Sequence, residues 1–148
     1  VGDGSYLLHN SDIYSSVLYD KKLIIVVCDN GGHMVINRLQ LAKGGKEYLC
    51  NLKEARATNL QFVDFEAHAK SMGANGETVT STSELEAAFK RAKKSEKTYV
   101  ISIKTHGYEW LDGTAFWESP TLEVHSTPEN KQAYEEFLAG KKGQRKGV

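Results

Sequence analysis

At 148 residues the chain is long enough to bury one core of its own. It is 40% hydrophobic and 26% charged with a formal net charge of zero, so no global field draws it to nucleic acid or to an anionic membrane. It has no apolar run of the ~20 residues that a bilayer span needs, and no stretch of it reads as a signal peptide. Its two cysteines, Cys28 and Cys50, lack ligand-like spacing. Cys28 reads as a small core residue, and a reducing cytoplasm is the default setting.

The chain opens on Gly2-Asp3-Gly4-Ser5, a glycine-flanked Asp that reads as a loop. Asn10-Ser11-Asp12 offers capping side chains for a helix, with Ile13, Val17 and Leu18 as its apolar stripe. Asp20-Lys21-Lys22 is a polar turn. Leu23 to Cys28 is apolar without alternation, as expected of a strand buried on both faces of a parallel sheet. Asp29-Asn30-Gly31-Gly32 follows, and residues 33–41 predict a helix, although Met34, Ile36, Leu39 and Leu41 fit neither period cleanly. Lys43 to Leu60 is polar with Gly44-Gly45, and a long loop near the ligand-binding edge is expected there.

Further on, Asp64 caps a predicted helix with Phe65, Ala69 and Met72 inward and Gly73 as terminator. Thr78-Val79-Thr80 predicts a short edge strand. Ser83-Glu84-Leu85-Glu86 has the form of a capping box, followed by Leu85, Ala88, Phe89 and Ala92 at helical spacing. Thr98 to Lys104 predicts a strand. The basic, glycine-containing end, Gly140 to Gly147, reads as a solvated tail. Alternating strands and helices give an α/β fold with a mainly parallel sheet. A Gly-Asp-Gly loop at a strand end calls for a strand before it, yet only Val1 precedes it, and there is no initiator Met. The expectation is therefore a fragment of a larger protein, cut one strand into the domain.

Asp3 and Asn30 stand 27 positions apart. A helix and a strand between them would bring both motifs to the carboxyl ends of neighbouring parallel strands, the edge where open α/β sheets bind ligands. The chemistry suits a hard cation and a diphosphate. Mg2+ takes oxygen donors and usually combines one or two protein groups with substrate phosphates. The glycines let backbone N–H groups approach phosphate oxygens, and Ser5 and Gly4 offer further donors. There is no Lys-Ser/Thr pair of a Walker loop, no third Gly of a dinucleotide fingerprint and no nucleophile elbow around Ser5.

His33 admits two readings: contact with a diphosphate or acid/base work, or a polar residue opening a helix. His9 reads as a surface polar residue ahead of a contact at the ligand-binding edge, and His68 as a surface or satisfied core residue. His106 and His125 have no sequence partner. The rings of Tyr108, Trp110, Phe116 and Trp117 read as packing on the domain rather than as a substrate platform.

The pair Gly2-Asp3-Gly4 and Asn30 resembles the fingerprint of thiamine-diphosphate enzymes of the acetolactate-synthase-like kind. The family often has Asn-Asn where this chain has Asp29-Asn30. Further segments resemble the trihydroxycyclohexane-dione hydrolases of inositol breakdown: Asn37-Arg38-Leu39-Gln40, residues 64–74, Thr98-Tyr99-Val100-Ile101, Ala115-Phe116-Trp117, residues 120–124 and residues 140–145. These relatives usually carry two consecutive Trp residues where Phe116-Trp117 stands. The resemblance implies a thiamine-diphosphate-binding C-terminal domain lacking its first strand, with residues 105–148 as a family-specific extension. It implies Mg2+ bound by Asp3, Asn30 and the Gly32 carbonyl, and cofactor contacts from Gly2, Asp3, Gly4, Ser5, Asn30, Gly32, His33 and Met34. It also implies hydrolysis of a ring C–C bond in a cyclic 1,2-dione by an intact cytoplasmic homo-oligomer. An activating Glu would come from another domain, and the fragment would be inactive alone. The competing readings are a related decarboxylase or carboligase, and a non-catalytic Mg2+- or nucleotide-binding module.

Overall fold

The computed structural model describes residues 1–109 and 124–144. Three parallel strands form one sheet in the order β1-β3-β2: β1 (Ile24–Asp29), β2 (Asn75–Val79) and β3 (Tyr99–Lys104). β1 pairs with β3 from Ile24↔Tyr99 to Asp29↔Lys104. Beyond β1, Val1 and Gly2 continue the sheet. The Val1 amino group donates to Val26 O, Cys28 N donates to Val1 O, both at 2.8 Å, and Gly2 bridges Cys28 in parallel.

The sheet is covered on both faces. On one side α1 (Asp3–His9), α2 (Ser11–Leu18) and α4 (Phe65–Ser71) supply Tyr6, Ile13, Phe65 and Ala69 to a core with Val27 and Val100. On the other, α5 (Thr82–Lys94) sets Ala88 and Ala92 against Val79 and Ile101, with Ile24, Val26 and Leu85 packed around them. Alternate residues of β1 thus enter opposite cores, which is why the strand shows no polar alternation. Two more helices, α3 (Met34–Ala42) and α6 (Pro128–Gly143), complete the described elements, with one 3-10 turn at Leu52–Glu54.

Several expectations need correction. The Gly2–Ser5 stretch is not a loop: α1 starts at Asp3 with Gly2 as its extended N-cap. An Asp in the first turn suits the positive end of the helix dipole. Asn10 does not cap α2, because its own backbone is helical (φ −62°). Its side chain instead donates back to Leu7 O at 2.9 Å. In α2, Ile13 is buried and Leu18 is exposed, while Ser16 takes the inward place and bonds Thr98 Oγ1 at 2.7 Å.

In α3 only Met34 and Asn37 are buried, and Val35, Ile36 and Leu39 face outward. The mixed period of that stretch reflects a helix whose buried side is set by Gly107 against Met34 and by the Asn37–Glu47 bond rather than by an apolar stripe. The capping box of α5 lies two residues earlier than expected. Ser81 Oγ accepts from Glu84 N at 3.2 Å, and Glu84 Oε2 accepts from Thr80 N at 2.8 Å and from Thr80 Oγ1 at 2.9 Å. Phe89 remains partly exposed. β2 is an edge strand, as expected, but starts at Asn75.

The basic end is helical through Gly143, because Thr127 caps α6 and Pro128 occupies its first turn. Trp110, Phe116 and Trp117 lie outside the described residues. The helix capped by Asp64 and ended by Gly73 (φ +86°) forms as read, and Cys28 and Cys50 are free thiols.

Candidate cofactor and metal site

α1 departs, and β1 ends, at the same edge of the sheet. Asp3 is therefore buried between them, 2% exposed. Its carboxylate accepts from Gly32 N at 2.6 Å and from Asn30 N at 3.4 Å. Both donors belong to the turn that leaves β1. That turn is possible because Gly31 sits at φ +84° and Gly32 at φ +140°, the latter a conformation that is essentially glycine's own. A side chain at Gly32 would also overlap the Cys50 carbonyl.

The Asn30 amide decides what the turn can bind. One of its terminal atoms lies 2.9 Å from Asp3 Oδ1 and 3.1 Å from Gly32 O. Set as NH2, it donates to both. Set as oxygen, it joins them in a set of three oxygen donors. Octahedral Mg2+ with ~2.1 Å bonds places neighbouring ligand oxygens about 3.0 Å apart, so the spacing fits that ion. A carboxylate, an amide and a carbonyl are hard donors of the type it takes. Among the described residues no group of three His, Cys, Asp or Glu side chains is placed to hold a metal.

Gly4, His33 and Met34 lie near this turn, and the remaining candidates lie elsewhere. The His33 ring lies over Gly4, where a Cβ would stand 2.5 Å from Nδ1. Ser5 is exposed in the first turn of α1. Met34 opens α3 but its side chain is buried, close to Gly107. A cleft of about 250 Å3 runs beside these groups, lined by Asp3, Gly4, Leu7, His33, Leu49 and Asn51 among others. His9 is exposed at the far end of α1. His68 accepts or donates at 2.9 Å to the buried Tyr6 hydroxyl, and burial pushes that phenol's pKa up. His106 lies 3.6 Å from Glu109, and His125 packs on Tyr134.

Two features escape sequence reasoning. Residues 50–52 pair antiparallel with the turn: His33 N donates to Cys50 O at 2.8 Å, Leu52 N donates to Gly31 O at 2.9 Å, and Asn51 bridges Gly32. The expected long loop therefore roofs the site, held by backbone bonds that carry no side-chain pattern. Second, Asp29, 6% exposed, is paired with Lys104 across the β1–β3 register. Charged residues ending two apolar strands were the available signal.

Residues 1–103 match the family "Thiamine pyrophosphate enzyme, C-terminal TPP binding domain". The chain belongs to this family. Relatives extend the likeness past residue 103. A protein of Halalkalibacterium halodurans named 3D-(3,5/4)-trihydroxycyclohexane-1,2-dione hydrolase is 35% identical over 137 residues, 91% of this chain and 21% of that one. Its namesake in Listeria monocytogenes is 33% identical over 146 residues, 98% of this chain and 23% of that one. This TPP-binding domain thus spans about a fifth of the length of those relatives.

Among solved structures, a Rhodococcus jostii thiamine diphosphate-dependent 4-hydroxybenzoylformate decarboxylase superposes with a TM-score of 0.60 at 20% identity, covering 72% of this chain and 19% of that one. Benzoylformate decarboxylase from Polynucleobacter necessarius superposes with a TM-score of 0.58 at 23% identity, with the same coverage. At those identities the likeness speaks for the fold.

Proposed function

We propose that this domain holds Mg2+ and the diphosphate of thiamine diphosphate, and that the natural full-length protein hydrolyses a ring C–C bond of a cyclic 1,2-dione in cytoplasmic inositol catabolism. The observation that carries the metal assignment is the Asn30 amide, poised 2.9 Å from Asp3 Oδ1 and 3.1 Å from Gly32 O. Asp3, Asn30 and the Gly32 carbonyl would supply three donors, with diphosphate oxygens and water completing the shell.

Gly2, Gly4 and Ser5 at the start of α1, and His33 and Met34 at the start of α3, would offer backbone N–H groups and one imidazole to the diphosphate. Met34 takes part through its backbone, because its side chain is buried. His33 is the candidate for proton transfer in the adjoining cleft. Bound thiamine diphosphate supplies the electron sink for cleavage next to a carbonyl. The chain's own part is to fix charge and orientation: two backbone N–H groups hold the Asp3 carboxylate before any ligand arrives, and such preorganisation lowers the cost of binding.

The hydrolase assignment is supported by the two relatives, whose likeness covers 91% and 98% of the chain, while the family match ends at residue 103. Residues 105–148 are read as a family-specific extension. The same reading includes further domains of the same chain, a homo-oligomer, and an activating Glu from outside this domain. A decarboxylase or carboligase is the second reading, since the family match names the cofactor and not the reaction.

The test uses the natural full-length protein. Thiamine-diphosphate binding is measured by calorimetry with and without Mg2+, and turnover is assayed with the cyclic dione and with pyruvate. Mg2+-dependent binding that Asp3→Ala abolishes, with turnover of the dione alone, is the expected result. Cofactor affinity indifferent to Mg2+ and to Asp3→Ala would refute the metal assignment, and turnover of pyruvate alone would move the protein to the second reading.

A further inference from the structure

The turn that carries Gly32 is held from above by the 50–52 segment, and that segment is tied to a residue beyond the family match. Asn51 bridges Gly32 through its backbone. Both ends of its side chain are engaged: Oδ1 accepts from Lys53 N at 3.0 Å, and Nδ2 donates to the Tyr108 hydroxyl at 2.9 Å. Tyr108 in turn donates to the Glu47 carboxylate, which also accepts from Asn37 Nδ2 at 2.6 Å. Asn37 is completely buried in α3, one turn after His33. Those two hydrogen bonds, Asn37 first and Tyr108 second, hold the Glu47 carboxyl below its ordinary range. The backbone approaches at the same place, where a Cβ on Gly107 would stand 3.0 Å from Asn30 O.

From this geometry we infer that Tyr108 is a positioning residue. Its hydroxyl joins two stretches of the 43–63 segment, Glu47 and Asn51, and fixes the roof in the register that turns the Gly32 carbonyl toward Asp3 and Asn30. A phenol suits this role because one O–H can donate to a carboxylate while its oxygen accepts from an amide. Phenylalanine keeps the ring and loses both bonds. The part that concerns Gly32 rests on the metal reading proposed above; the clamping of the roof does not.

The experiment compares wild type, Tyr108→Phe and Tyr48→Phe in the natural full-length protein. Tyr48 is an exposed tyrosine of the same segment and serves as the control. Two readouts are taken: the Mg2+ concentration for half-saturation at fixed, saturating thiamine diphosphate, and the rate of tryptic cleavage after Lys43, Lys46, Lys53 or Arg56. Tyr108→Phe is expected to raise the Mg2+ requirement about fivefold or more and to speed cleavage within the segment by a similar factor, with the melting temperature within a few degrees of wild type. Tyr48→Phe is expected to change neither. Unchanged cleavage in Tyr108→Phe overturns the clamp, whatever the metal does. Faster cleavage with an unchanged Mg2+ requirement overturns the link to Gly32 alone. A wild type that needs no Mg2+ overturns the metal reading, and the cleavage rates still decide the clamp.

Discussion

Gly4 and Gly32 lie on either side of the same site, yet they answer to different constraints. At Gly32 the backbone itself requires glycine, because φ is +140° and the Cys50 carbonyl fills the space where a Cβ would be. Strained backbone of that kind costs about 1–3 kcal/mol before the clash is counted. Gly32→Ala should therefore lower stability by at least that amount and remove metal-dependent cofactor binding. At Gly4 the backbone is helical, and the obstacle is the exposed His33 ring. That ring can rotate away, and alanine is a better helix residue than glycine by up to ~1 kcal/mol. Gly4→Ala should leave the melting temperature unchanged or slightly raised while shifting the His33 ring resonances. Chemical denaturation of both variants, with NMR of the imidazole in Gly4→Ala, measures the contrast. A Gly4→Ala protein as unstable as Gly32→Ala would mean that His33 is fixed more firmly than its exposure implies.

At the scale of elements, α5 gives a sharp test of where a helix begins. The cap is Ser81, since its hydroxyl accepts from Glu84 N, so Ser81→Ala should cost about 1 kcal/mol. Ser83→Ala, at the position that the sequence pattern favours, should cost only a few tenths in that range of cap effects. Urea midpoints of the two variants decide between the registers.

The pH dependence of the same cap has a definite sign. The Thr80 N–H and hydroxyl hold the Glu84 carboxyl below its ordinary 4.5. A group depressed in the folded state contributes fully above its unfolded pKa, and that contribution fades as pH falls through the folded value. Wild type should therefore lose more stability between pH 6 and pH 3 than Glu84→Gln does, by the part that this carboxylate supplies. Equal losses would show that Glu84 adds nothing to the cap.

For the whole molecule, the site lies on one domain's surface, roofed by residues 50–52 and lined by an open cleft. Next to it α3 presents Val35, Ile36 and Leu39 outward, at 68%, 50% and 38% exposure. A single turn and a shallow cleft do not shield a reacting centre from water. The 148-residue chain by itself should fold, since both faces of its sheet are covered, and should show cooperative melting. It should bind thiamine diphosphate with Mg2+ at least about 100-fold more weakly than a chain of the relatives' length, a difference of about 2.7 kcal/mol, and turn nothing over. Parallel calorimetry on the two proteins, with a dione-cleavage assay, measures this. Turnover by the short chain would mean that its own residues complete the active site.

Much of this was legible in the sequence because it depended on local rules. Unbroken apolarity in Ile24 to Cys28 announced a strand buried on both faces. Asp64 and Gly73 bounded α4 through cap and terminator chemistry. Asp3 and Asn30 were recognisable from their spacing and Gly32 from the family resemblance, and the structure brings the three together across two helices and one strand. What the tertiary structure alone decided was which surfaces meet. Whether Ser81 or Ser83 caps α5 depended on where β2 releases the chain. The inward side of α3 became Met34 and Asn37 because Gly107 lies against the one and Glu47 bonds the other. The roof over Gly32 and the bonds from Tyr108 to Glu47 and Asn51 join residues that local propensity leaves unrelated. Backbone pairing across a long irregular segment writes no periodicity into the chain, so only the folded molecule specifies it.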